Sequence, residues 1–163
     1  MGVIRNHTRL VKEKIKRNRF IAIIKALTTT FQIEGYPLTV DCDKTKEFYL
    51  TQEKITDDCQ CKDCRFYAEN FTKEPLEIFS ILSSMGVDLQ KNLNSEPTGV
   101  WLIRDENDNF IHCDQVYQVV GHFPSEDKSQ LKYEKEQDGY KISAAFLPAG
   151  SDTIDIELKI DKI

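Results

Sequence analysis

The chain has 163 residues, of which 40% are hydrophobic and 30% charged, and its formal net charge at pH 7 is −5. This length and composition are typical of a globular protein that can bury a core without disulfides, and they exclude a disordered or fibrous protein. No run approaches the roughly 20 apolar residues of a membrane-spanning helix, and no secretory signal pattern is recognisable. We therefore expect a soluble protein that spans no membrane.

Charge is distributed unevenly along the chain. Residues 1–25 contain eight basic residues and one acidic residue, a net charge of +7, so the remaining residues carry −12. A basic segment on an acidic body is typical of contact with nucleic acid, an anionic membrane surface or a protein partner. It is equally consistent with a basic segment that folds back onto the chain's own acidic surface.

The first predicted element is a helix over residues 8–32. Its apolar residues recur mostly at spacings of three and four and so form one stripe. They are Leu10, Val11, Ile15, Phe20, Ile23, Ile24, Leu27 and Phe31. The β-branched run Thr28–Thr30 weakens its C-terminal end, and Gly35 and Pro37 stop it.

Short strands and two helices are predicted in the middle of the chain. The strands lie at residues 38–40 and 47–50. One helix covers residues 64–71, with Asp63 as its cap, and another covers residues 75–85, with Gly86 at its C-terminal end. A short helical turn is expected from Leu89 to Asn94.

From residue 99 the pattern is mainly β. Five strands are predicted there, at residues 100–103, 110–113, 115–120, 140–146 and 153–160. The first two form a hairpin around the polar turn 105–109, and the charged stretch 125–138 is expected to be a loop. In the last strand apolar and charged residues alternate, which predicts one buried face and one wet face.

Helices in the first half and strands in the second predict an α+β fold. We expect an antiparallel β-sheet in the C-terminal half, packed with N-terminal and central helices, in one domain over residues 1–163. The basic helix at 8–32 then either docks through its apolar stripe or forms an appendage. Docking, with lysine and arginine side chains facing water, is the simpler arrangement.

The most specific chemical feature is a C-x-C-x2-C motif, formed by Cys59, Cys61 and Cys64. Five cysteines are an odd number, and these three are too close in sequence to cross-link distant elements usefully. A reducing cytoplasm, with metal binding or free thiols, is therefore predicted. Zinc takes four soft ligands in a tetrahedron, and a short loop entering a helix can turn three sulfurs toward one point.

A fourth zinc ligand must come from elsewhere in the chain or be water. Our first choice is Cys113, followed by Cys42 and then His112. If residues 110–113 form a strand, His112 and Cys113 point to opposite faces and cannot both bind. The predicted site is therefore a zinc ion held by Cys59, Cys61, Cys64 and Cys113.

Two other interpretations of the motif stay open. Cys61-x-x-Cys64 leading into a helix is the spacing that lowers the pKa of the first thiol in disulfide oxidoreductases. The strand–helix–strand surroundings of a thioredoxin-like fold are missing, which disfavours that interpretation. The cysteines could also pack as small hydrophobic side chains, although polar neighbours on both sides argue against this for all three.

The motif also supports a resemblance. Cys59, Cys61 and Cys64 with the aromatic Tyr67, followed by Gly86-Val87-Asp88 and a strand that ends Val120-Gly121, resemble a family of small uncharacterised bacterial proteins. The similarity covers about residues 57–123. It implies no activity, and the basic N-terminal helix lies outside it.

The sequence lacks the glycine loops of phosphate binding, the G-x-S-x-G elbow and the H-E-x-x-H helix. We therefore predict a non-enzymatic binding or interaction module with a structural zinc site, whose partner is another protein or a second copy. One alternative is a thiol redox enzyme that uses Cys61 and Cys64. Another is a nucleic-acid-binding accessory protein that uses the basic helix. Its phosphate contacts would be Arg9, Lys12, Lys16 and Arg19.

Overall fold

A computed structural model describes residues 28–93, 100–124 and 130–163. Within them seven strands form one antiparallel sheet. The strands are β1 (Thr29–Ile33), β2 (Tyr36–Val40), β3 (Trp101–Arg104), β4 (Phe110–His122), β5 (Leu131–Gln137), β6 (Tyr140–Pro148) and β7 (Thr153–Lys162). The helices, which lie between β2 and β3, are α1 (Cys42–Leu50), α2 (Ile55–Asp58), α3 (Lys62–Glu69), a 3₁₀ helix (Phe71–Lys73) and α4 (Glu77–Ser84). The α+β prediction is confirmed.

The long strand β4 organises the sheet. The strand order is β1-β2-β4-β7-β6-β5, and β3 also pairs with β4. β3 pairs with the N-terminal part of β4, whereas β2 pairs only with its C-terminal end, where Val40 faces Gly121. β1 also contacts β5, at the other end of the order, so the sheet curls toward itself.

The helices cover the inner face of the sheet. From His112 to Val120 the side chains of β4 alternate between the two faces, with Cys113 and Tyr117 buried and His112 partly exposed. The Phe71 ring lies 4.7 Å from the ring of Phe110, centroid to centroid, and so joins the 3₁₀ helix to the start of β4. None of the helices in the described part of the chain combines the length and hydropathy needed to cross a membrane.

The C-terminal part of the predicted helix at 8–32 is wrong. Residues 29–33 form β1, which pairs with β2 through the two-residue turn Glu34-Gly35. Both turn residues have positive φ, at 48° and 79°, as in the tight turns that match the twist of a hairpin. Gly35 therefore marks a hairpin, not a helix end. The rest of the predicted helix lies outside the described residues.

The predicted strand at 47–50 is also wrong, because these residues belong to α1. Asp41 begins this helix: its carboxylate accepts a hydrogen bond from the backbone N–H of Lys44 at 3.0 Å. The apolar run Phe48-Tyr49-Leu50 suggested a strand, but Tyr49 alone is buried and Leu50 faces solvent. A capping aspartate thus outweighs local β propensity here.

Two predictions in the β half need correction. Residues 131–137, expected to be part of a loop, form β5, and Asp138-Gly139 is the turn of the β5–β6 hairpin. The charged outward side chains of β5 hid its alternation, in which only Leu131 and Tyr133 are buried. The strands predicted at 110–113 and 115–120 are one continuous strand. The hairpin of residues 100–113 and the last two strands are confirmed.

The two central helices are confirmed with shifted ends. α3 begins two residues earlier than predicted, and Cys61, not Asp63, is its N-cap. α4 buries Ile78, Phe79 and Leu82, and Gly86 follows its C-terminal end, as predicted, at φ +95°. Of the helical turn predicted from Leu89 to Asn94, the described residues show a single hydrogen-bonded turn, from Lys91 N–H to the Asp88 carbonyl, after which Lys91 pairs with Lys54. Asn94 lies outside the described residues.

Candidate metal centre

The three clustered cysteines lie where α2 ends and α3 begins. Cys59 directly follows α2, and its backbone N–H donates to the carbonyl of Ile55 at 2.9 Å. Cys61 is the N-cap of α3, and its Sγ accepts a hydrogen bond from the backbone N–H of Cys64 at 3.4 Å. A sulfur thus takes the place that an Asp or Ser oxygen usually has at a helix start. This local geometry turns Cys61 and Cys64 toward each other.

The three sulfur atoms form a compact group. The Sγ atoms of Cys59, Cys61 and Cys64 all lie within 4.8 Å of one another. Thiolates bound about 2.3 Å from a tetrahedral zinc ion are about 3.8 Å apart, so shifts of about 1 Å or less would close the group around an ion. Exposure decreases through the group, because Cys61 is exposed, Cys59 half-buried and Cys64 buried. The group therefore has one side open to solvent.

The protonation of the thiols differs within the group. The hydrogen bond from the Cys64 N–H lowers the pKa of Cys61, although slight burial opposes the shift. Burial, together with hydrogen bonds to Cys61 and Cys59, raises the pKa of Cys64. Cys61 therefore loses its proton more readily than Cys64, whose thiol stays protonated until a metal ion displaces the proton. The N-terminal end of α3 adds a favourable partial positive charge for the Cys61 thiolate.

A cation anchors the cysteine-bearing turn to the sheet. Arg104 of β3 donates from Nε to the Asp63 carboxylate at 2.7 Å, and its guanidinium lies 4.6 Å from the centre of the Phe66 ring. Its side chain is only 15% exposed, so this ion pair is partly shielded from water. Lys62 forms a second ion pair, with Asp108 in the β3–β4 turn. The first turn of α3 is thus fixed against the hairpin.

Sequence reasoning missed this anchor. Asp63 and Arg104 are 41 residues apart. The sequence suggested Asp63 only as a helix cap, and nothing in its own segment distinguishes Arg104. Only the fold brings them together, since β3 pairs with the start of β4 beside α3. Such a contact has no characteristic spacing along the chain, so no sequence signal could have identified it.

The predicted fourth ligands lie outside the sulfur group. Cys113 is buried on the inner face of β4, where burial raises the pKa of its thiol. His112 is on the opposite face, as predicted for neighbours in a strand, and its two ring nitrogens lie 2.6 Å from Asp161 and 3.0 Å from Asp114. Cys42 is the first residue of α1 and half-buried. The fourth ligand therefore stays a prediction.

The basic residues proposed for nucleic acid, Arg9, Lys12, Lys16 and Arg19, lie outside the described residues. No protein-family model, curated protein or solved structure matches the chain. The resemblance to a family of small bacterial proteins therefore stays a prediction too. The case for function depends on the geometry of the cysteine group.

Proposed function

We propose that this protein is a non-enzymatic binding module in which Cys59, Cys61 and Cys64 hold a structural zinc ion. The observation that carries the proposal is the position of their Sγ atoms, all within 4.8 Å of one another at a helix start. Thiolate sulfur is a soft donor that favours zinc over magnesium or calcium. The cytoplasm, where thiols stay reduced, is the compartment that suits such a site.

The ion would stabilise a weak point of the fold. α2 has only four residues, and only three residues separate it from α3. Such short helices gain little stability from their own hydrogen bonds. A zinc ion bound by Cys59 on one side and by Cys61 and Cys64 on the other would link the end of α2 to the first turn of α3. The open side of the group leaves the fourth position to water or to a donor from elsewhere.

Cobalt substitution tests the site directly. Metal-free, reduced protein titrated with Co²⁺ should develop a thiolate-to-cobalt charge-transfer band and the visible ligand-field bands of a tetrahedral site, saturating at one equivalent. Zinc should then remove both. The Cys61→Ser/Cys64→Ser double variant should lose most of the charge-transfer intensity, because it removes two of the three clustered thiolates. Cys42→Ser should lose at most the share of one thiolate, since Cys42 lies outside the group and is only a candidate for the fourth ligand.

The same titration of Cys113→Ser identifies the fourth ligand. If Cys113 completes the site, its loss should reduce the charge-transfer intensity by about a quarter, because each thiolate contributes to the band. An unchanged spectrum would exclude Cys113 from the site. A wild-type titration without a charge-transfer band would reject metal binding by these sulfurs altogether.

A thiol redox enzyme is the second candidate. The observation that favours it is the exposed Cys61, whose pKa is lowered by the Cys64 N–H and which lies beside a protonated thiol, Cys64. That arrangement suits an attacking and a resolving cysteine. Alkylation of the metal-free reduced protein at about pH 6–7 discriminates, since slow modification of Cys61 would discard this candidate.

A further inference from the structure

A second candidate site lies on the helical side and shares no residue with the cysteine group. A groove of about 720 Å³ opens between α1, the 3₁₀ helix and the loop that follows α4. Its volume lies in the range of small-molecule sites. Its apolar lining comes from Tyr49, Leu50, Val87 and Leu89. Leu50 is 80% exposed, so most of its side chain can contact a ligand in the groove.

Three lysines line the same groove. They are Lys46, Lys73 and Lys91, and Asp88 is the one acidic residue of the lining. Lys46 has a long, exposed ion pair with Asp43 at 3.6 Å. Lys73 has no ion-pair partner among the described residues. Because residues 26–163 carry a net charge of −12, this groove is a local reversal of sign on an acidic surface.

The groove is already formed without a ligand. Its loop is held by backbone hydrogen bonds from Ile55 N–H to the Gln90 carbonyl at 2.9 Å and from Asn92 N–H to the Glu53 carbonyl at 3.1 Å. The Lys91 ammonium is held as well, through a 2.6 Å hydrogen bond to the Gln52 carbonyl. A ligand that enters a fixed groove loses less free energy to ordering the protein.

We propose that this groove binds a small carboxylic acid with an apolar body, its carboxylate toward Lys73 and Lys46 and its hydrocarbon on Leu50, Val87 and Leu89. Charge complementarity selects the carboxylate, and the apolar lining selects the body. The groove shares no residue with the cysteine group, so the inference does not depend on zinc binding. The groove thus gives the proposed binding module a specific class of ligand, small carboxylic acids.

Decanoate, below its micelle-forming concentration, is the probe, and 1-decanol is its uncharged counterpart. Calorimetric titration of the full chain should show one saturable decanoate site, with clearly weaker binding of decanol. Raising the ionic strength from about 0.02 M to about 0.3 M should weaken decanoate binding alone, since salt screens exposed charges.

Two exposed substitutions locate the site. Lys73→Met keeps the aliphatic stem and should weaken decanoate about three- to fivefold, while Lys44→Met, on α1 but outside the groove, should have no effect. Leu50→Asp should weaken it further by adding a negative charge to the rim. Equal affinity for decanoate and decanol, an unchanged Kd in Lys73→Met and Leu50→Asp, or no saturable binding would each overturn the proposal.

Discussion

Replacing Gly86 with alanine should destabilise the fold by about 2–4 kcal/mol. Gly86 follows α4 at φ +95°, a conformation that residues with a side chain rarely adopt. A Cβ atom there would lie 2.5 Å from the backbone oxygen of Cys42 and 3.1 Å from Cγ of Lys46. The oxygen belongs to the first turn of α1 and cannot turn away, so the helix itself would have to move.

The magnitude has two parts. Positive φ at a residue with a Cβ costs about 1 kcal/mol or more. Carbon–oxygen contacts are normally about 3.3 Å or longer, so α1 must shift by almost 1 Å, and overpacking of this kind costs about 1–3 kcal/mol. Gly139→Ala is the matched control, because Gly139 has φ +81° and no atom lies within 4 Å of the position that its methyl group would take. It should therefore lose the strain part only, about 1 kcal/mol.

Urea unfolding of the reduced protein, followed by circular dichroism, measures both variants. Replacing glycine with alanine lowers the conformational entropy of the unfolded chain by the same amount at both sites. This contribution to the free energy of unfolding therefore cancels when the two variants are compared. We expect Gly86→Ala to lose at least about 1 kcal/mol more than Gly139→Ala, and to bind decanoate more weakly because α1 forms one wall of the groove. Equal losses in the two variants would refute the close approach of this loop to α1.

Three further predictions concern single side chains. Arg104→Met should lower the free energy of unfolding in urea by about 1–3 kcal/mol, because the shielded ion pair to α3 is lost. A change near zero would show that this ion pair does not stabilise the fold. Tyr117→Phe should cost about 1–3 kcal/mol in the same assay, because the buried hydroxyl of Tyr67 loses its hydrogen-bond partner; full stability would contradict that pairing. Although partial burial opposes protonation, hydrogen bonds to two aspartates raise the pKa of His112. Its ion pairs therefore stabilise the folded state fully below about pH 6.5, and this stabilisation is lost as the pH rises through the folded-state pKa. His112→Asn should therefore cost more free energy of unfolding at about pH 5.5 than at about pH 8.5, and a cost independent of pH would exclude the charged pair.

The β half was largely predictable from sequence because a strand with one buried face shows alternating apolar and polar residues. β7 alternates apolar and charged residues from Ile154 to Asp161, and its burial follows that alternation. β5 failed the same test, since four of its seven residues are charged and only its first and third side chains are buried. The turn Asp138-Gly139, typical of a hairpin, was the signal that identifies it.

The helical half was less predictable because short elements depend on tertiary contacts. α2 has four residues, too few for any periodic pattern, and α1 buries only Thr45 and Tyr49. Their positions come from contacts far along the chain, such as the Thr45 hydroxyl that accepts from the Val120 N–H at 3.0 Å. Intrinsic helix propensity has little influence where such tertiary contacts determine the secondary structure.

The cysteine group was predictable in part. Three thiols within six residues at a helix start converge for local reasons, through the Cys61 cap, which a sequence pattern can capture. The groove was not predictable, because its lysines come from three separate elements and only the fold brings Lys46, Lys73 and Lys91 together. Sites formed by residues close in sequence were thus predictable here, and sites formed by contacts between distant segments were not.

The zinc content of the protein, purified under reducing conditions without added metal, tests the central claim most directly. Mass-spectrometric metal analysis should find about one zinc ion per chain, and the Cys61→Ser/Cys64→Ser double variant, purified in parallel, should retain almost none. Less than about a tenth of an equivalent in the wild type, or equal zinc in the double variant, would contradict a structural zinc site at these three sulfurs.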